Sequence, residues 1–497
     1  MTSSTPRTGS RQEPGQAEAS GPHRAFRPAI ALPLAALLLG LGVIAWHGRL
    51  KPLPPGLSVQ TPTRPVDDAH FLTDLTYVDT TGTRRVEQRI FDAILETIHA
   101  ARRQIVLDMF LFNEFQGEHV EETRALCEEL TRALVDRKRA HPDIEIVLIT
   151  DPINTVYGAI TAPHLDRLRA VGISVVMTDL DPLRDSNWLY SSLWRWFIQP
   201  WGGESPGRLP NPFGGEDVSL QAGLRLLNFK ANHRKTLVAD SPSGWTGLVT
   251  SANPHDASSA HGNLAIRFSG PAVADLLETE RAIAAFSGAP VPRPIEPPPP
   301  RSGRVRLRIL TEGKIGAQLD TTLDEAQPGD ELAIAVFYLA DRGIIRRILS
   351  AHQRGVSIRV LLDPNKDAFG REKNGLPNRP VAAELQRAGI PVRWCDTHGE
   401  QCHAKMLLLR HRDESILIAG SANFTRRNLR DFNLETDIWL RGQSDARVLR
   451  EAWSYFERVW QNEPGRRYST AYEAYADESW SKWWLYQLSE LSGVGTQ

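Results

Sequence analysis

The sequence predicts an α/β protein made of two similar halves, each a mixed sheet flanked by helices. Short apolar segments alternate with helical patterns in both halves, which is typical of sheets with crossover helices. Each half ends in a His-x-Lys segment followed by Ser-Ala-Asn. A proline-rich segment separates the halves, so an internal duplication is the simplest interpretation.

The composition is that of a folded protein. The chain has 497 residues, of which 41% are hydrophobic and 24% charged, and its formal net charge is -1. These values exclude a largely disordered, collagen-like or coiled-coil chain. The near-zero charge gives no global argument for nucleic acid, so a nucleic-acid partner is not expected, although a local basic groove stays possible.

The N-terminal region carries a predicted membrane anchor. Residues 1–27 are rich in Ser, Gly, Pro and Gln and are predicted to be disordered. Residues 28–46 form an uncharged apolar stretch of 19 residues, close to the roughly 20 that cross a bilayer. We interpret this stretch as a transmembrane signal anchor, with the N-terminus in the cytoplasm and the large part outside. Residues 52–67 form a proline-rich spacer.

The first half, residues 68–288, alternates helices and strands. Its apolar runs predict strands at 104–112, 143–151 and 173–179. The predicted helices lie at 86–103, 120–139 and 164–171.

The second half, residues 304–464, repeats this order after a proline-rich linker at 289–303. The predicted strands are 304–310, 331–339, 356–364 and 390–396. The predicted helices are 316–326, 341–354 and 381–388. Residues 465–497 form an aromatic C-terminal segment.

The candidate catalytic residues lie at the end of each half. The repeated pattern consists of His233, Lys235, Ser251 and Asn253, and of His403, Lys405, Ser421 and Asn423. Residues two apart on a strand share a face, so each lysine points the same way as its histidine, whereas Asp240 lies on the opposite face and is predicted to support the strand. One neutral imidazole can attack a phosphodiester, a second can protonate the leaving oxygen, and the lysines can offset negative charge. This chemistry requires no metal or cofactor.

These motifs resemble the phospholipase D superfamily over residues 68–462, and among its branches bacterial cardiolipin synthase and related phospholipase D enzymes. The resemblance implies that the two halves share one active site, with His233 as a nucleophile forming a phosphohistidine and His403 as the acid and base. It implies that Lys235, Lys405, Ser251, Asn253, Ser421 and Asn423 bind the phosphate. A phospholipid substrate, a bilayer partner, a monomer and a bacterial inner-membrane location with a periplasmic catalytic part are expected.

The chain departs from the family pattern at two places. Arg410 stands where the second motif usually has aspartate, and we expect altered strand support there. Glu435 retains the carboxylate that orients a catalytic histidine in the family, whereas Asn263-Leu264-Ala265 offers none at the matching position. One histidine is therefore expected to lack its orienting carboxylate, which leaves open which histidine is the nucleophile.

Two aromatic segments bear on the substrate. An insert carries Trp188, Tyr190, Trp194, Trp196, Phe197 and Trp201, and a C-terminal stripe carries Trp480, Trp483, Trp484, Leu488 and Leu491. Such segments rest on lipid or pack on the protein's own body. For the insert, contact with lipid and packing on the protein are equally favoured. For the C-terminal stripe, packing on the protein is slightly favoured. A non-lipid phosphodiesterase or nuclease of the same superfamily is the alternative function, and a non-catalytic scaffold or a metal-dependent hydrolase are weaker ones.

Two minor expectations complete the sequence account. Cys127, Cys395 and Cys402 are predicted to be free thiols, with a Cys395–Cys402 bridge as the less favoured interpretation. Of the other histidines near the motifs, His255 is expected to matter more for the site than His261.

Overall fold

The computed structural model describes residues 1–5, 9, 28–66, 68–116, 123–201, 207, 209–211, 217–242, 244–297, 303–368 and 371–493. Most of the predicted disordered tail, and residues 298–302 of the predicted linker, lie outside these residues. By its internal contacts the chain divides into two units, residues 1–42 and residues 43–497.

The predicted anchor is helical. Helix α1 (Pro28–Ala45) continues as a π-helix at Trp46–Leu50, and the stretch Leu32–Leu50 is long and apolar enough to cross a membrane. Within the second unit, the turn after α1 is tied to the body. The backbone N–H of Asp185 donates to the carbonyl of His47 at 2.8 Å, and the Arg184 guanidinium donates to the carbonyl of Lys51 at 2.9 Å.

The first half forms a mixed sheet with helices against it. The strands of this part of the chain are β1 (Arg64–Val66), which precedes the first half, and β2 (Ala69–Asp79), β3 (Arg84–Glu87), β4 (Gln104–Met109), β5 (Glu145–Thr150), β6 (Ser174–Met177), β7 (Lys235–Ser241), β8 (Gly244–Thr250) and β9 (Asn263–Ser269), which form the first sheet. Its helices are α2 (Ile90–Ala100), α3 (Leu126–Ala140), α4 (Pro163–Ala170), α5 (Trp188–Leu193), α6 (Leu220–Arg225) and α7 (Ala272–Phe286).

The second half repeats this arrangement. Its strands are β10 (Val305–Thr311), β11 (Glu331–Val336), β12 (Ser357–Leu362), β13 (Asp367–Ala368), β14 (Arg371–Glu372), β15 (Val392–Cys395), β16 (Lys405–His411), β17 (Glu414–Gly420), β18 (Thr436–Gln443), β19 (Arg466–Arg467) and β20 (Ser469–Ala471). Its helices are α8 (Gly313–Glu325), α9 (Arg342–Gln353), α10 (Asn378–Arg387), α11 (Arg426–Leu429), α12 (Arg447–Gln461) and α13 (Trp480–Ser492).

Both sheets are mixed, as predicted. The first has the strand order β19-β2-β9-β8-β7-β4-β5-β6, with β3 beside β2, and the second has the order β1-β10-β18-β17-β16-β11-β12-β15-β20. Pairing is parallel at β4-β5-β6 and at β11-β12-β15 and antiparallel elsewhere along these orders. The edge strands are exchanged, because β1 precedes the first half but joins the second sheet, while β19 follows the second half but joins the first.

The two sheets share a core. One buried apolar cluster contains Val106 and Val238 of the first sheet together with Ala333 and Leu408 of the second. Burial of this many aliphatic side chains is the main favourable contribution to folding. The shared core fixes the two sheets against each other, and this contact positions the motifs described below.

A buried ion network crosses between the halves. The Arg234 side chain is fully buried. Its guanidinium donates to the Glu312 carboxylate at 2.5 Å and lies 3.5 Å from the Glu280 carboxylate.

Arg234→Met should lower the free energy of unfolding by about 3–5 kcal/mol, because it leaves buried carboxylates without their cation. Thermal unfolding in detergent measures this change in the free energy of unfolding. Arg441→Met, at an exposed pair with Glu414, is the control and should change the free energy of unfolding by less than about 1 kcal/mol. Equal effects of the two substitutions would show that the buried ion network does not stabilise the fold.

Candidate active site

The two His-x-Lys segments meet where the halves adjoin. The backbone N–H of His233 donates to the carbonyl of Leu434 at 2.9 Å, and that of His403 donates to the carbonyl of Gly262 at 2.7 Å. Each histidine is thus held by the opposite half. Both line one cavity of about 170 Å³. The other lining residues are Phe110, Leu111, Phe229, Asn253, Ser258, His261, Phe337, Tyr338, Lys373, Gln401, Asn423, Arg427, Asn428 and Asn433.

His233 is held by a carboxylate and an aromatic ring. Its Nδ1 lies 3.0 Å from Oε2 of Glu435, which belongs to the opposite half. The Phe110 ring packs on the imidazole with a centroid distance of 4.7 Å. Lys235 is fully buried and donates from Nζ to the carbonyl of His233 at 2.6 Å. These contacts leave Nε2 as the ring nitrogen available for chemistry.

His403 is held in the same way but by an uncharged group. Its Nδ1 lies 3.1 Å from Oδ1 of Asn263, again from the opposite half. The Phe337 ring lies 5.1 Å away, and the buried Lys405 donates from Nζ to the carbonyl of His403 at 2.7 Å. The two half-sites therefore differ mainly in the charge of the group that faces Nδ1.

Asn263 is the structural counterpart of Glu435, whereas the sequence analysis placed Ala265 at that position. The backbone N–H of Ser251 donates to Leu264, and that of Ser421 donates to Thr436, the residues that directly follow Asn263 and Glu435. Asn263 lies 12 residues after its serine and Glu435 lies 14 after its own, so the first loop is two residues shorter. The sequence alone suggests that Asn263-Leu264 matches Asn433-Leu434, which would place Ala265 opposite Glu435. His403 therefore has an orienting partner, but not a carboxylate.

The predicted phosphate ligands fall into two groups. Asn253 and Asn423 line the cavity. The serine hydroxyls instead donate to the histidine partners, Ser251 to Asn263 at 3.0 Å and Ser421 to Glu435 at 2.5 Å. The structure therefore places both serines in supporting positions behind the histidines rather than on the cavity wall. Lys235 and Lys405 are also fully buried and are not among the residues that line the cavity.

The acidic and basic residues at the far ends of the motif strands are structural. Asp240 accepts hydrogen bonds from the backbone N–H groups of Arg102, Arg103 and Gln104 at 2.8–3.2 Å, which ties β7 to the start of β4. Arg410, in the matching place, pairs with Glu331 of β11 at 3.1 Å and stacks on Trp453 at 4.2 Å. In the second half an ion pair therefore supports the motif strand, as backbone hydrogen bonds to Asp240 do in the first half.

Burial makes the histidines neutral near pH 7. Burial lowers the pKa of His233 to about 4, although Glu435 opposes the shift. Burial, with Lys405 and His261 nearby, lowers the pKa of His403 well below its ordinary value. Burial also lowers the pKa of Lys235 to about 7. The pKa of Glu435 is lowered because His233 and Lys235 outweigh the effect of its own burial, so this carboxylate stays charged.

Several cavity residues lay outside the sequence predictions. Phe110 and Phe337 hold equivalent places, each directly after the strand that pairs with a motif strand, so the duplication is the signal that could have found them. Lys373 follows no repeated spacing, and only the fold brings it to the cavity. His261, not His255, reaches the site, 5.9 Å from the His403 ring. The two ring nitrogens of His255 instead form hydrogen bonds with the Ser258 hydroxyl and with the carbonyl of Phe115.

The cysteine prediction was wrong for one pair. Cys395 and Cys402 form a disulfide directly before His403, and Cys127 is free and buried. The strand β15 ends at Cys395 and the loop turns back towards β16, which brings the two sulfurs together. The disulfide closes the loop that leads into the second motif.

A duplicated α/β fold whose halves each place a histidine on one cavity, with a buried lysine bonded to the backbone of that histidine, is typical of two-repeat phosphodiesterases. A family model described as "Cardiolipin synthase, PLD-like domain" matches residues 319–460. Phosphatidylserine synthase of Haemophilus influenzae shares the fold, with a TM-score of 0.55 and 10% identity over 90% of this chain and 96% of that one.

Two mammalian proteins are similar in sequence. Mitochondrial cardiolipin hydrolase of Mus musculus is 28% identical over 138 residues, 28% of this chain and 55% of that protein. The Homo sapiens protein is 28% identical over 130 residues, 26% of this chain and 45% of its own length. The chain thus spans about half the length of these relatives. With the family model and the fold, this similarity confirms the predicted resemblance to the phospholipase D superfamily.

Proposed function

We propose that the protein cleaves the phosphodiester bond of phospholipids as a phosphatidyltransferase or phospholipase D, through a phosphohistidine on His233. The observation that carries this proposal is the pair of half-sites on one cavity, in which each imidazole has Nδ1 bonded and Nε2 available. Cardiolipin synthesis from phosphatidylglycerol is one outcome of this chemistry, and release of phosphatidic acid to water is another.

In the first half-reaction, the Nε2 lone pair of His233 attacks the lipid phosphorus. The bond from phosphorus to the headgroup oxygen breaks, and that oxygen takes the proton from Nε2 of His403. His403 holds this proton because the arriving phosphodiester anion raises the pKa that burial lowers. The charges of Lys235 and Lys405 act on both histidines and offset the negative charge on phosphorus oxygens.

In the second half-reaction, His403 takes a proton from water or an alcohol, whose oxygen attacks phosphorus. The phosphorus–nitrogen bond breaks, and His233 is restored. The intermediate carries positive charge on the His233 ring, which the Glu435 carboxylate stabilises and the neutral Asn263 could not. This asymmetry favours His233 over His403 as the nucleophile.

Exposed apolar surface supports a bilayer partner. Of the C-terminal stripe, Trp480, Trp484, Leu488 and Leu491 are 45–74% exposed on α13, so the expectation that the stripe packs inward was wrong. The opposite side of α13 is fixed by the buried Tyr486, which donates to the carbonyl of Ala340 at 2.7 Å. An apolar helix face of this kind is typical of interfacial helices.

The aromatic side chains of the insert differ in their exposure to solvent. Trp194 is buried, whereas Phe197 is 62% exposed. The side chains of Trp188 and Trp201 lie outside the described part of the chain. The exposed residue adds to the apolar surface that we assign to lipid, and the buried one anchors the insert.

We assign the protein to the bacterial inner membrane with its catalytic part in the periplasm. The apolar helix α1 supports a single-pass anchor, and the Cys395–Cys402 disulfide favours an oxidising compartment over the cytosol. A monomer is sufficient because one chain supplies both half-sites.

Product analysis by mass spectrometry tests the proposed function. The purified full chain is incubated in chelator with phosphatidylglycerol vesicles, with and without a primary alcohol. Cardiolipin or a phosphatidyl-alcohol is the expected product of a transferase, and phosphatidic acid alone would assign a hydrolase. No turnover of lipids with several headgroups, together with cleavage of oligonucleotides, would contradict the lipid proposal and establish the nuclease alternative.

The pH dependence of kcat/KM should be bell-shaped with its maximum between about pH 4 and 7. The attacking His233 must be neutral, so activity is present above its pKa of about 4 and lost below it. Two groups must be protonated, so activity is lost as the pH rises: Lys235, whose pKa is about 7, and His403, whose pKa burial holds well below its ordinary value. A water-soluble phosphodiester reports the profile. Lys235→Arg should make the alkaline loss less steep, because guanidinium stays charged while His403 still loses its proton; a flat wild-type profile from pH 7 to 9 would contradict this.

A further inference from the structure

A second cavity lies beside the turn that follows the apolar helix. Its volume is about 760 Å³, and all of its lining residues belong to the unit of residues 43–497. One wall is apolar and comes from Ile44, Ala45, Leu429 and Phe432, and the other carries arginines. The cavity is separate from the one that holds the two histidines, since the two share no lining residue.

Two of the cavity's arginines are neutralised by carboxylates. Arg184 pairs with Asp431 at 3.2 Å, and Arg430 pairs with Asp341 at 3.1 Å and Asp320 at 3.0 Å. These pairs hold the loop after the second Ser-Ala-Asn segment in place. They leave little charge from these two side chains to attract a ligand.

Arg49 and Arg426 are different. Among the residues that the structure describes, neither has a carboxylate within ion-pair distance. The Arg426 guanidinium lies over the Phe432 ring at 4.4 Å. The Glu490 carboxyl of α13 accepts a hydrogen bond from the backbone N–H of Arg426 and also attracts its guanidinium, but burial raises the pKa of that carboxyl to about 7, which weakens it as a counter-charge. Within the described part of the chain, these two cations beside an apolar wall therefore have no fully charged partner at ion-pair distance.

We propose that this cavity binds an anionic phospholipid, with its phosphate on Arg49 and Arg426 and its first acyl carbons on the apolar wall. Guanidinium groups are well suited to phosphate oxygens. Arg49 lies near the C-terminal end of the apolar stretch, so an anchored chain carries it at the level of lipid headgroups. The apolar wall favours a lipid over free phosphate, which would leave Leu429 and Phe432 without a partner.

Lipid in this cavity would stabilise the segment that joins it to the active site. Arg426 and Phe432 bound the segment that contains Arg427 and Asn428, which line the active-site cavity. Asn428 also donates to the Glu435 carboxylate that holds His233. The proposal goes beyond the catalytic one, because binding here needs no turnover.

Native mass spectrometry of the full chain in mild detergent tests the proposal. All proteins carry His233→Ala, so that lipid is not consumed, and the probes are phosphatidylglycerol, phosphatidylcholine and inorganic phosphate. We expect retained phosphatidylglycerol but not phosphatidylcholine, and about tenfold weaker retention in Arg49→Gln and in Arg426→Gln, as for the loss of about one charge-assisted hydrogen bond. Arg441→Gln, at the exposed pair with Glu414, is the matched control and should retain lipid fully.

The other outcomes overturn the proposal in distinct ways. Equal retention of the two lipids, or retention unaffected by both arginine variants, would show that the cavity does not select anionic lipid. Displacement of phosphatidylglycerol by millimolar inorganic phosphate would assign the site to free phosphate. Because the readout is binding in an inactive background, a protein without phospholipase activity still gives an answer.

Discussion

Replacing His233 by alanine is expected to lower kcat for phospholipid cleavage by about four orders of magnitude or more. The imidazole is the only group on the cavity that we assign to bond with phosphorus, and loss of a catalytic nucleophile in other enzymes has an effect of this size. Turnover of phosphatidylglycerol, followed by mass spectrometry, measures it. The protein should remain folded, because the His233 contact with Leu434 is made by the backbone.

A matched histidine on the surface controls for this result. His99→Ala, at an exposed position in the last turn of α2, should leave kcat unchanged. An unfolding temperature within a few degrees of the wild type confirms that the His233 variant is folded. If folded His233→Ala retains more than about a hundredth of the wild-type kcat, His233 is not the nucleophile.

Glu435→Gln should lower kcat by about a hundredfold or more. The carboxylate accepts from Nδ1 of His233 and from Ser421, and it stabilises the positive charge of the phosphorylated ring. Loss of a partner that orients a reacting histidine has an effect of at least this order in comparable sites. Steady-state kinetics with phosphatidylglycerol measure kcat and KM separately, and we expect the loss in kcat.

A second buried carboxyl provides the control for Glu435. Burial raises the pKa of Asp437 to about 8, so near pH 7 this group is largely neutral, and Asp437→Asn should change kcat only a few-fold. If Glu435→Gln and Asp437→Asn have equal effects, the charge of Glu435 is not what the mechanism uses. A loss confined to KM would instead assign Glu435 to substrate binding.

The sequence predicted the fold and the histidines because both are local and repeated. Apolar residues dominate strands such as 104–109 and 331–336, and the Lys235 and Lys405 segments recur with the same spacing. Such patterns depend only on neighbours in the chain. The mixed direction of the strands follows from the antiparallel pairing of the motif strands with β4 and β11.

The parts that the sequence did not predict depend on contacts between distant residues. Asn263 reaches His403 across 140 residues, and a loop two residues shorter hides its equivalence to Glu435. Lys373 reaches the cavity from the segment after β14, and no repeated motif marks it. The exposed stripe of α13 could not be distinguished by spacing alone from a packed one, because both show the same periodicity.

The most direct test of the mechanism is to capture the covalent intermediate. Wild-type protein and His403→Ala are mixed with labelled phosphatidylglycerol, quenched in base within milliseconds, digested and mapped by mass spectrometry. The mechanism predicts a phosphatidyl group on the peptide containing His233, accumulating in His403→Ala because the incoming water or alcohol is no longer deprotonated. A label on the His403 peptide instead, or turnover with no labelled peptide at any quench time, would contradict it.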